Sequence, residues 1–263
     1  MASGGKVSKS RKKTLYVKGQ NEPFELSRSK VDLFLQCPKC FYLDRSEKYR
    51  ISRPDGPMSY IPTAIDLLLK KDFDIYREKQ SVHPSCENNG VNLTPFAHPD
   101  IELWQNNRKG IRYHDKDTNL ILYGAIDDCW IDKETETLFV VDYKSTTASY
   151  DPKTLEIKKV NLDEKSAPYK YWYKKQVEFY QWLLQKNNFN VSSKAYFLFC
   201  SALYKNVPSF DQKLDFKIDI ISYDGDNSWV NNTITSIKNV LDGEDIPDSN
   251  PNCKFCNYRN NNI

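Results

Sequence analysis

The 263-residue chain lacks any apolar run that approaches the roughly 20 residues of a membrane-spanning helix. Its first residues also lack the apolar segment of a secretory signal peptide. These absences predict a soluble, cytoplasmic protein, in which disulfide bonds are disfavoured. An excess of charge is missing too, since 38 Lys and Arg stand against 35 Asp and Glu, and this balance by itself identifies no partner.

Histidine is scarce and internal repeats are absent. His83, His98 and His114 have no spacing relation to one another or to the carboxylates, so we do not expect them to bind a metal. The length allows one large domain or two small ones. We expect a single domain over residues 23–263, preceded by a disordered basic arm over residues 1–22 that is as compatible with a solvated tail as with phosphate binding.

Four of the seven cysteines form two Cys-x-x-Cys pairs, one near each end of the chain. The pairs are Cys37 with Cys40 and Cys253 with Cys256. A disulfide across a two-residue gap is strained, whereas four thiolates suit a metal ion or cluster. The sequence therefore predicts a four-cysteine metal site that joins the two ends. The other three cysteines are expected to be small buried apolar residues.

The clearest predicted element is a hairpin, with one strand over residues 120–131, a polar turn over residues 132–137 and a return strand over residues 138–144. A symmetric turn places Asp127 directly opposite Asp142. Opposed residues share a face and side chains alternate along a strand, so Lys144 lies on that face as well. Two carboxylates and an ammonium are thus expected on one side of an otherwise apolar hairpin.

Opposed aspartates repel each other unless a proton or a cation lies between them. Mg²⁺ or Mn²⁺ prefers such oxygen ligands and suits phosphate chemistry. Lys144 would then orient or activate the attacking water, or offset charge that develops on phosphorus. The alternative is an exposed hairpin face with an incidental Asp-x-Lys triplet. The apolar run of residues 138–141, which leads directly into Asp142, argues against that alternative.

Helical and strand patterns surround the hairpin and predict an α/β protein. Helices are expected over residues 62–77, 171–186 and 227–241, and strands over residues 194–202 and 215–223. Aromatic and basic residues alternate at the start of the second helix and include Trp172, Lys174 and Lys175. This mixture suits single-stranded nucleic acid, whose bases stack on rings and whose phosphates meet lysines. Packing of Trp172 in the core is an equal alternative.

The order of these motifs resembles the PD-(D/E)xK nuclease superfamily, and within it the RecB-type nucleases and their CRISPR-associated relatives. The resemblance rests on Gly124-x-x-Asp127, on residues 140–144 ending in Asp142-Tyr143-Lys144, and on Gln176-x-x-x-Tyr180. The segments around both cysteine pairs are similar to those that hold a [4Fe-4S] cluster in that branch. The resemblance covers about residues 26–259. It implies a restriction-endonuclease-like fold, in which a mixed central sheet is flanked by helices.

The resemblance also implies roles for these residues. Asp127, Asp142 and the carbonyl of Tyr143 would bind the catalytic metal, and Lys144 would be the catalytic lysine. Gln176 and Tyr180, one helical turn apart, would contact DNA near the cut.

The chain departs from the family pattern at two places. Asp66 stands where the family commonly has a histidine ligand in the helix before the hairpin. The cysteines divide two and two rather than one and three, so Cys40 would replace a ligand of the cluster, or the site would hold Zn²⁺.

We therefore expect a metal-dependent deoxyribonuclease that uses Mg²⁺ or Mn²⁺. The resemblance favours an exonuclease in DNA repair, recombination or phage- or CRISPR-type DNA processing. Its substrate would be DNA that is single-stranded or has free ends, and a helicase or recombination protein would be a possible partner. Two alternatives stay open from the sequence: a catalytically silent nucleic-acid-binding module of the same fold, and a structural zinc protein in which the carboxylates have no role.

Overall fold

The computed structural model describes residues 15–56, 59–205 and 208–260. The helices are α1 Arg28–Gln36, α2 Pro38–Arg45, α3 Tyr60–Lys79, α4 Pro84–Asn88, α5 Ile101–Trp104, α6 Lys170–Lys186, α7 Trp229–Asp242 and α8 Lys254–Asn260. The strands are β1 Phe24–Ser27, β2 Thr94–Pro95, β3 Ile111–Asp115, β4 Leu120–Gly124, β5 Asp128–Asp132, β6 Thr137–Thr147, β7 Lys194–Ala202 and β8 Phe216–Asp224. In the described part of the chain, no helix combines the length and the apolar character that crossing a bilayer requires.

The chain divides into two compact units. Of the described residues, the first comprises 15–56, 112–123 and 228–260, and its small sheet has the strand order β1-β4-β3. Helices α1 and α2 of this unit pack against α7. The second unit comprises residues 57–111 and 124–227 and contains the five-stranded sheet.

The five-stranded sheet has the order β2-β5-β6-β7-β8. Strands β6 and β7 run parallel and the other neighbours run antiparallel, so the sheet is mixed. Helices α3 and α6 both pack against β6. The predicted fold class, a mixed sheet flanked by helices, is confirmed.

The register of the predicted hairpin is also confirmed. Asp128 pairs with Val141 and Cys129 with Val140, so paired residue numbers have the constant sum that places Asp127 opposite Asp142 at the next step. Val141 and Tyr143 belong to a buried core with Phe73 of α3. Asp142 and Lys144 therefore take the opposite side of the strand, as alternation requires.

The predicted continuous strand over residues 120–131 is wrong, because this segment is divided into β4 of the three-stranded sheet and β5 of the five-stranded sheet. At this break the backbone of Gly110 approaches Gly124 so closely that a Cβ on Gly110 would lie 2.4 Å from the Gly124 oxygen. Gly110 also has φ +61°, which favours glycine. The Ile126 amide donates to the Trp104 carbonyl at 3.1 Å, and the Gln105 side chain donates to the Asp127 carbonyl at 2.8 Å. Bonds to the segment around α5 thus replace ladder bonds.

Most of the predicted basic arm lies outside the described residues, which begin at residue 15. Within the described part, Tyr16 is already buried and packs its ring against Phe24. Lys18 is exposed and pairs with Glu244. The expectation of one domain over residues 23–263 stays a prediction.

Candidate active site

One cavity of the second unit, about 380 Å³ in volume, brings together most of the predicted catalytic residues. Its walls come from α3, from the segment between β4 and β5, from β6 and from α6. The lining includes Asp66, Asp127, Tyr143, Lys144 and Gln176. Asp142 is completely buried and contacts the cavity through an ion pair between its Oδ2 and the Lys144 ammonium.

The neighbouring residues Asp127 and Asp128 have opposite environments. The Asp127 carboxylate opens to the cavity, and its Oδ2 accepts a hydrogen bond from the Tyr143 amide at 2.9 Å. The Asp128 carboxylate is fully buried and accepts from Arg77 at 2.7 Å, the Trp130 indole at 3.1 Å and the Tyr143 hydroxyl at 2.7 Å. Asp128 therefore holds the core together, and Asp127 alone of the two is available to a ligand.

Asp142 and Lys144 form a buried pair of opposite charges. Burial raises the pKa of Asp142 to about 7; the Lys144 charge opposes this shift, and the Asp127 charge adds to it. Burial lowers the pKa of Lys144, but the nearby charges of Asp142 and Asp127 outweigh it and the net pKa is raised. Lys144 is therefore an ammonium at neutral pH, while Asp142 changes protonation near neutrality.

Lys70 is a site residue that the sequence analysis missed. Its ammonium lies 2.8 Å from Asp66 Oδ2 and 3.9 Å from Asp127 Oδ1, so it bridges two of the predicted metal ligands. Burial, followed by repulsion from Asp127, raises the pKa of Asp66. The four-residue spacing of Asp66 and Lys70 on α3 was the available signal, but such pairs are frequent on exposed helices.

Gln176 on α6 links Lys144 to the helix. The Lys144 ammonium donates to Gln176 Oε1 at 3.3 Å, and the Gln176 amide donates to the Tyr180 hydroxyl at 3.5 Å. The ammonium also lies 4.5 Å from the centre of the Tyr173 ring. Tyr180 is only 3% exposed, which suits support of Gln176. DNA contacts by Gln176 and Tyr180 stay predictions.

The three other predicted nucleic-acid contacts lie at the start of α6. Trp172 is half-buried and packs edge-on against Tyr171. Lys174 pairs with Glu164 at 2.6 Å and Lys175 with Glu178 at 2.8 Å, so acidic groups offset both charges. Nucleic-acid binding by Trp172, Lys174 and Lys175 stays a prediction.

A second cavity of the same unit, about 490 Å³ in volume, shares Lys144, Ser145 and Tyr173 with the first. We call it the lysine cavity because Lys158, Lys159 and Lys170 also line it and no acidic residue does. It is built largely by the segment between β6 and α6. In the sequence, the adjacent Lys158 and Lys159 are the signal that could have indicated this cavity.

The predicted four-cysteine site is assembled in the first unit. Cys37 precedes α2 and Cys40 lies in it, while Cys253 precedes α8 and Cys256 lies in it. All seven cysteines of the chain are free thiols, and the four of this site are buried with their sulfurs within 4.8 Å of one another. The sequence prediction that both ends contribute to one site is confirmed at this level.

The carboxylates at the first cavity fit a hard divalent cation by their chemistry. Asp66, Asp127 and Asp142 offer only oxygen donors, which Mg²⁺ and Mn²⁺ prefer. Oδ1 of buried Asp142 has no hydrogen-bond partner and remains available to a metal, while Oδ2 contacts the Lys144 ammonium. Among the described residues only the four cysteines form a group of three or more ligating atoms within 4.8 Å. The oxygens of the three carboxylates are thus farther apart than the cysteine sulfurs, and the Lys70 and Lys144 ammoniums lie among them.

Comparison with known proteins identifies the family. A model of the PD-(D/E)XK nuclease superfamily matches residues 63–261. No curated protein sequence matches the chain significantly. A crystal structure of a "Putative exonuclease" from Eubacterium rectale is 13% identical, with coverage of 100% of this chain and 94% of that chain and a TM-score of 0.36, a likeness that carries no argument. Since the family match spans well over half of the sequence, the chain belongs to the PD-(D/E)XK nuclease superfamily.

Proposed function

We propose that this protein is a metal-dependent deoxyribonuclease whose active site is the cavity of Asp127, Asp142 and Lys144. The observation that carries the proposal is the convergence of these three groups, with Asp127 open to the cavity and Lys144 paired to a buried Asp142 whose Oδ1 has no hydrogen-bond partner. A structural hairpin face would have no need to bury an incompletely satisfied carboxylate.

Asp127 and Asp142 would hold the divalent cation, with Asp66 and the Tyr143 carbonyl as further ligands. A bound Mg²⁺ or Mn²⁺ ion would supply Lewis-acid stabilisation of the phosphate. The Tyr143 amide fixes Asp127 Oδ2, which leaves Oδ1 on the side of Lys70 and Asp66. Asp142 acts as an anion, so its raised pKa implies that the site is ready only when that carboxyl has lost its proton.

Lys144 acts as a cation in this scheme. Because its pKa is raised, the ammonium keeps its proton at neutral pH and stabilises negative charge on the phosphoryl oxygens as water attacks. It orients the attacking water as a hydrogen-bond donor. Gln176 and the Tyr173 ring hold the ammonium toward the cavity, and Tyr180 holds Gln176.

The lysine cavity supports a single nucleic-acid strand as the substrate. Lys158 makes only a 3.9 Å pair with Asp151, in which both side chains are about half exposed, and such pairs contribute little. Lys170 donates to the neutral Asn161 side chain. Exposed Tyr169 offers a ring beside these lysines, the mixture that binds phosphates and stacks unpaired bases. A cavity of this size takes a small ligand, so one strand fits better than a duplex. The proposed activity is exonuclease action on DNA with free ends.

The test is a cleavage assay with linear and circular DNA, each single- and double-stranded, and with RNA of matching sequence. Wild type, Asp142→Ala, Lys144→Ala and the control Glu134→Ala, an exposed turn residue, are purified identically and supplied with Mg²⁺ or Mn²⁺. We expect the first two variants to lose at least about 100-fold in rate, the usual loss when one stabilising group is removed, and the control to keep full rate.

The substrate pattern decides the finer assignment. Cleavage of linear but not circular DNA would establish an exonuclease, and cleavage of RNA alone would replace DNA as the substrate. Full activity of Lys144→Ala would remove the lysine from the mechanism. Tight binding without cleavage by the metal-loaded wild type would overturn the proposal and favour the silent binding module.

A further inference from the structure

The four cysteine sulfurs of the first unit are closely spaced. Cys37 Sγ lies 3.7 Å from Cys256 Sγ, and Cys40 Sγ lies 3.6 Å from Cys253 Sγ and 3.5 Å from Cys256 Sγ. No pair among the four exceeds 4.8 Å. These distances are set by where α2 and α8 place their side chains, and they limit what the site can enclose.

A single zinc ion and an iron–sulfur cluster require different sulfur spacings. Four thiolates in a tetrahedron about 2.3 Å from one zinc ion lie about 3.8 Å apart. In a [4Fe-4S] cluster each thiolate binds a different iron at alternate corners of a cube, which separates the sulfurs by roughly 6 Å. The 4.8 Å limit is too small for the cluster, while the three distances of 3.5, 3.6 and 3.7 Å match the tetrahedron. We infer that the four-cysteine site holds one Zn²⁺ ion and not the [4Fe-4S] cluster that the family resemblance implies.

The arrangement is that of a structural zinc site. Each Cys-x-x-Cys pair begins just before a helix and ends within its first turn, which brings both sulfurs to the same helix end. All four ligands come from the protein and all are buried, so no position is left for substrate. The ion would tie α2 to α8, about 200 residues apart, and so stabilise this unit through closure of a long loop.

Arg53 supports the charge of such a site. Its Nη2 donates to Cys253 Sγ at 3.5 Å, its Nη1 donates to Gln36 Oε1 at 2.6 Å, and its guanidinium lies 4.6 Å from the Phe255 ring centre. Four thiolates around a divalent ion have a net charge of −2, and one guanidinium offsets part of it. Arg53 is therefore a positioning residue that orients and neutralises Cys253.

The experiment measures metal in the full chain, purified without oxygen from cells supplied with both iron and zinc. Elemental analysis should give about one zinc per chain and almost no iron or acid-labile sulfide, with no visible absorption. X-ray absorption at the zinc edge should show four sulfurs at about 2.3 Å. Replacing zinc by Co²⁺ should produce the visible bands of tetrahedral cobalt thiolate.

Two variants test the assignment of the ligands. Cys40→Ala should lose zinc to a chelator under conditions in which wild type and the control Cys200→Ala, a buried cysteine of the other unit, retain it. Arg53→Gln keeps every ligand and should release zinc about 10-fold faster, as expected for loss of a supporting hydrogen bond. This second variant keeps the inference testable where Cys40→Ala does not fold.

Several results would overturn the zinc assignment. Four irons with sulfide per chain and broad visible absorption would establish the cluster. A wild-type protein without tightly held metal, or a Cys40→Ala variant that keeps its zinc as wild type does, would show that these sulfurs do not form the site. None of these results bears on the carboxylate cavity, because DNA cleavage is measured separately.

Discussion

Replacing Lys70 by methionine should tighten the binding of a divalent cation in the catalytic cavity. The Lys70 ammonium lies 2.8 Å from Asp66 and 3.9 Å from Asp127, where it competes with a metal for the same carboxylates. Methionine keeps a similar length and unbranched shape without the charge. In the metal-free variant the carboxylates lose their ion pair with Lys70, and in the metal-bound variant the repulsion between Lys70 and the cation is removed. Both effects favour metal binding.

The magnitude follows from Coulomb's law. A unit charge and a divalent ion about 4 Å apart, the distance scale of the Lys70–Asp127 contact, repel by about 2 kcal/mol even in bulk water. This corresponds to about 30-fold in affinity. The Lys70 side chain is only 14% exposed, so screening is weaker than in bulk water and 30-fold is a lower expectation.

The assay is calorimetric titration of Mn²⁺ into protein freed of loosely bound metal, in low salt and at pH 8. At this pH Asp142, whose pKa is raised to about 7, has lost its proton. Lys71→Met is the matched control, because Lys71 is the exposed next residue on α3 and carries the same charge. The double variant Lys70→Met, Asp127→Asn should lose the tightened binding, which assigns it to the cavity.

Competition between Lys70 and the metal is contradicted if Lys70→Met binds Mn²⁺ no more tightly than wild type, or if Lys71→Met gives an equal gain. The first result would place the ion away from Lys70. The second would show a general charge effect. Retained tight binding in the double variant would mean that Asp127 is not a ligand.

Three further predictions concern stability, pH and substrate binding. Asp128→Asn should lower the free energy of unfolding by about 3–5 kcal/mol, because buried Arg77 loses its fully buried carboxylate partner and keeps only the partly exposed Asp74. Asp127→Asn should change the free energy of unfolding far less, and urea unfolding compares the two variants. The pKa of Asp142 is about 7 in the folded protein and 3.8 in the unfolded chain, so its stabilising contribution is complete below pH 3.8 and is lost as pH rises through 7. Without added divalent ion, the melting temperature of Asp142→Asn should therefore rise relative to that of wild type between pH 3.8 and 7. Above pH 7 the difference should stay constant. Replacing three lysines by glutamine should weaken the binding of labelled single-stranded DNA. Relative to wild type, the slope of log affinity against log salt concentration should become shallower by about 2, and the affinity at about 0.1 M salt should fall about 100-fold. The three lysines are Lys158, Lys159 and Lys170 of the lysine cavity, and the controls of equal charge are Lys79, Lys133 and Lys186. An unchanged slope, or an equal change in the controls, would contradict strand binding there.

The hairpin was predictable because its register depends on local chemistry. A polar turn of fixed length and the two-residue period of a strand determine which side chains oppose each other, and both lie within one short segment. The observed pairing of Asp128 with Val141 agrees with that rule. Long strands such as β7 were predictable for the same reason, since their apolar runs are continuous and end at polar turns.

The break before Asp127 was not predictable from pattern. Most of residues 120–131 are apolar and favour a strand, but the strand is interrupted between β4 and β5, where contacts from residues 104–110 replace ladder bonds. The close approach of Gly110 to Gly124 depends on a glycine fourteen residues earlier, which is not visible in the strand itself. Tertiary contacts of this kind outweigh local strand preference.

The choice of Asp127 over its neighbour Asp128 was predicted from the hairpin register, but the contacts that produce it come from elsewhere in the chain. Asp127 and Asp128 are adjacent, so alternation along a strand gives their side chains opposite faces. Alternation alone does not determine which of the two faces is open to solvent. Arg77, Trp130 and Tyr143 make that choice, because together they satisfy Asp128 and leave Asp127 without an equivalent set of donors. Tyr143 contributes twice, since its hydroxyl binds Asp128 and its amide binds Asp127. Tyr143, which lies between Asp142 and Lys144 on β6, therefore fixes both aspartates. Tyr143→Phe should disturb the buried Asp128 carboxylate while leaving the hydrogen bond from its backbone amide to Asp127 in place.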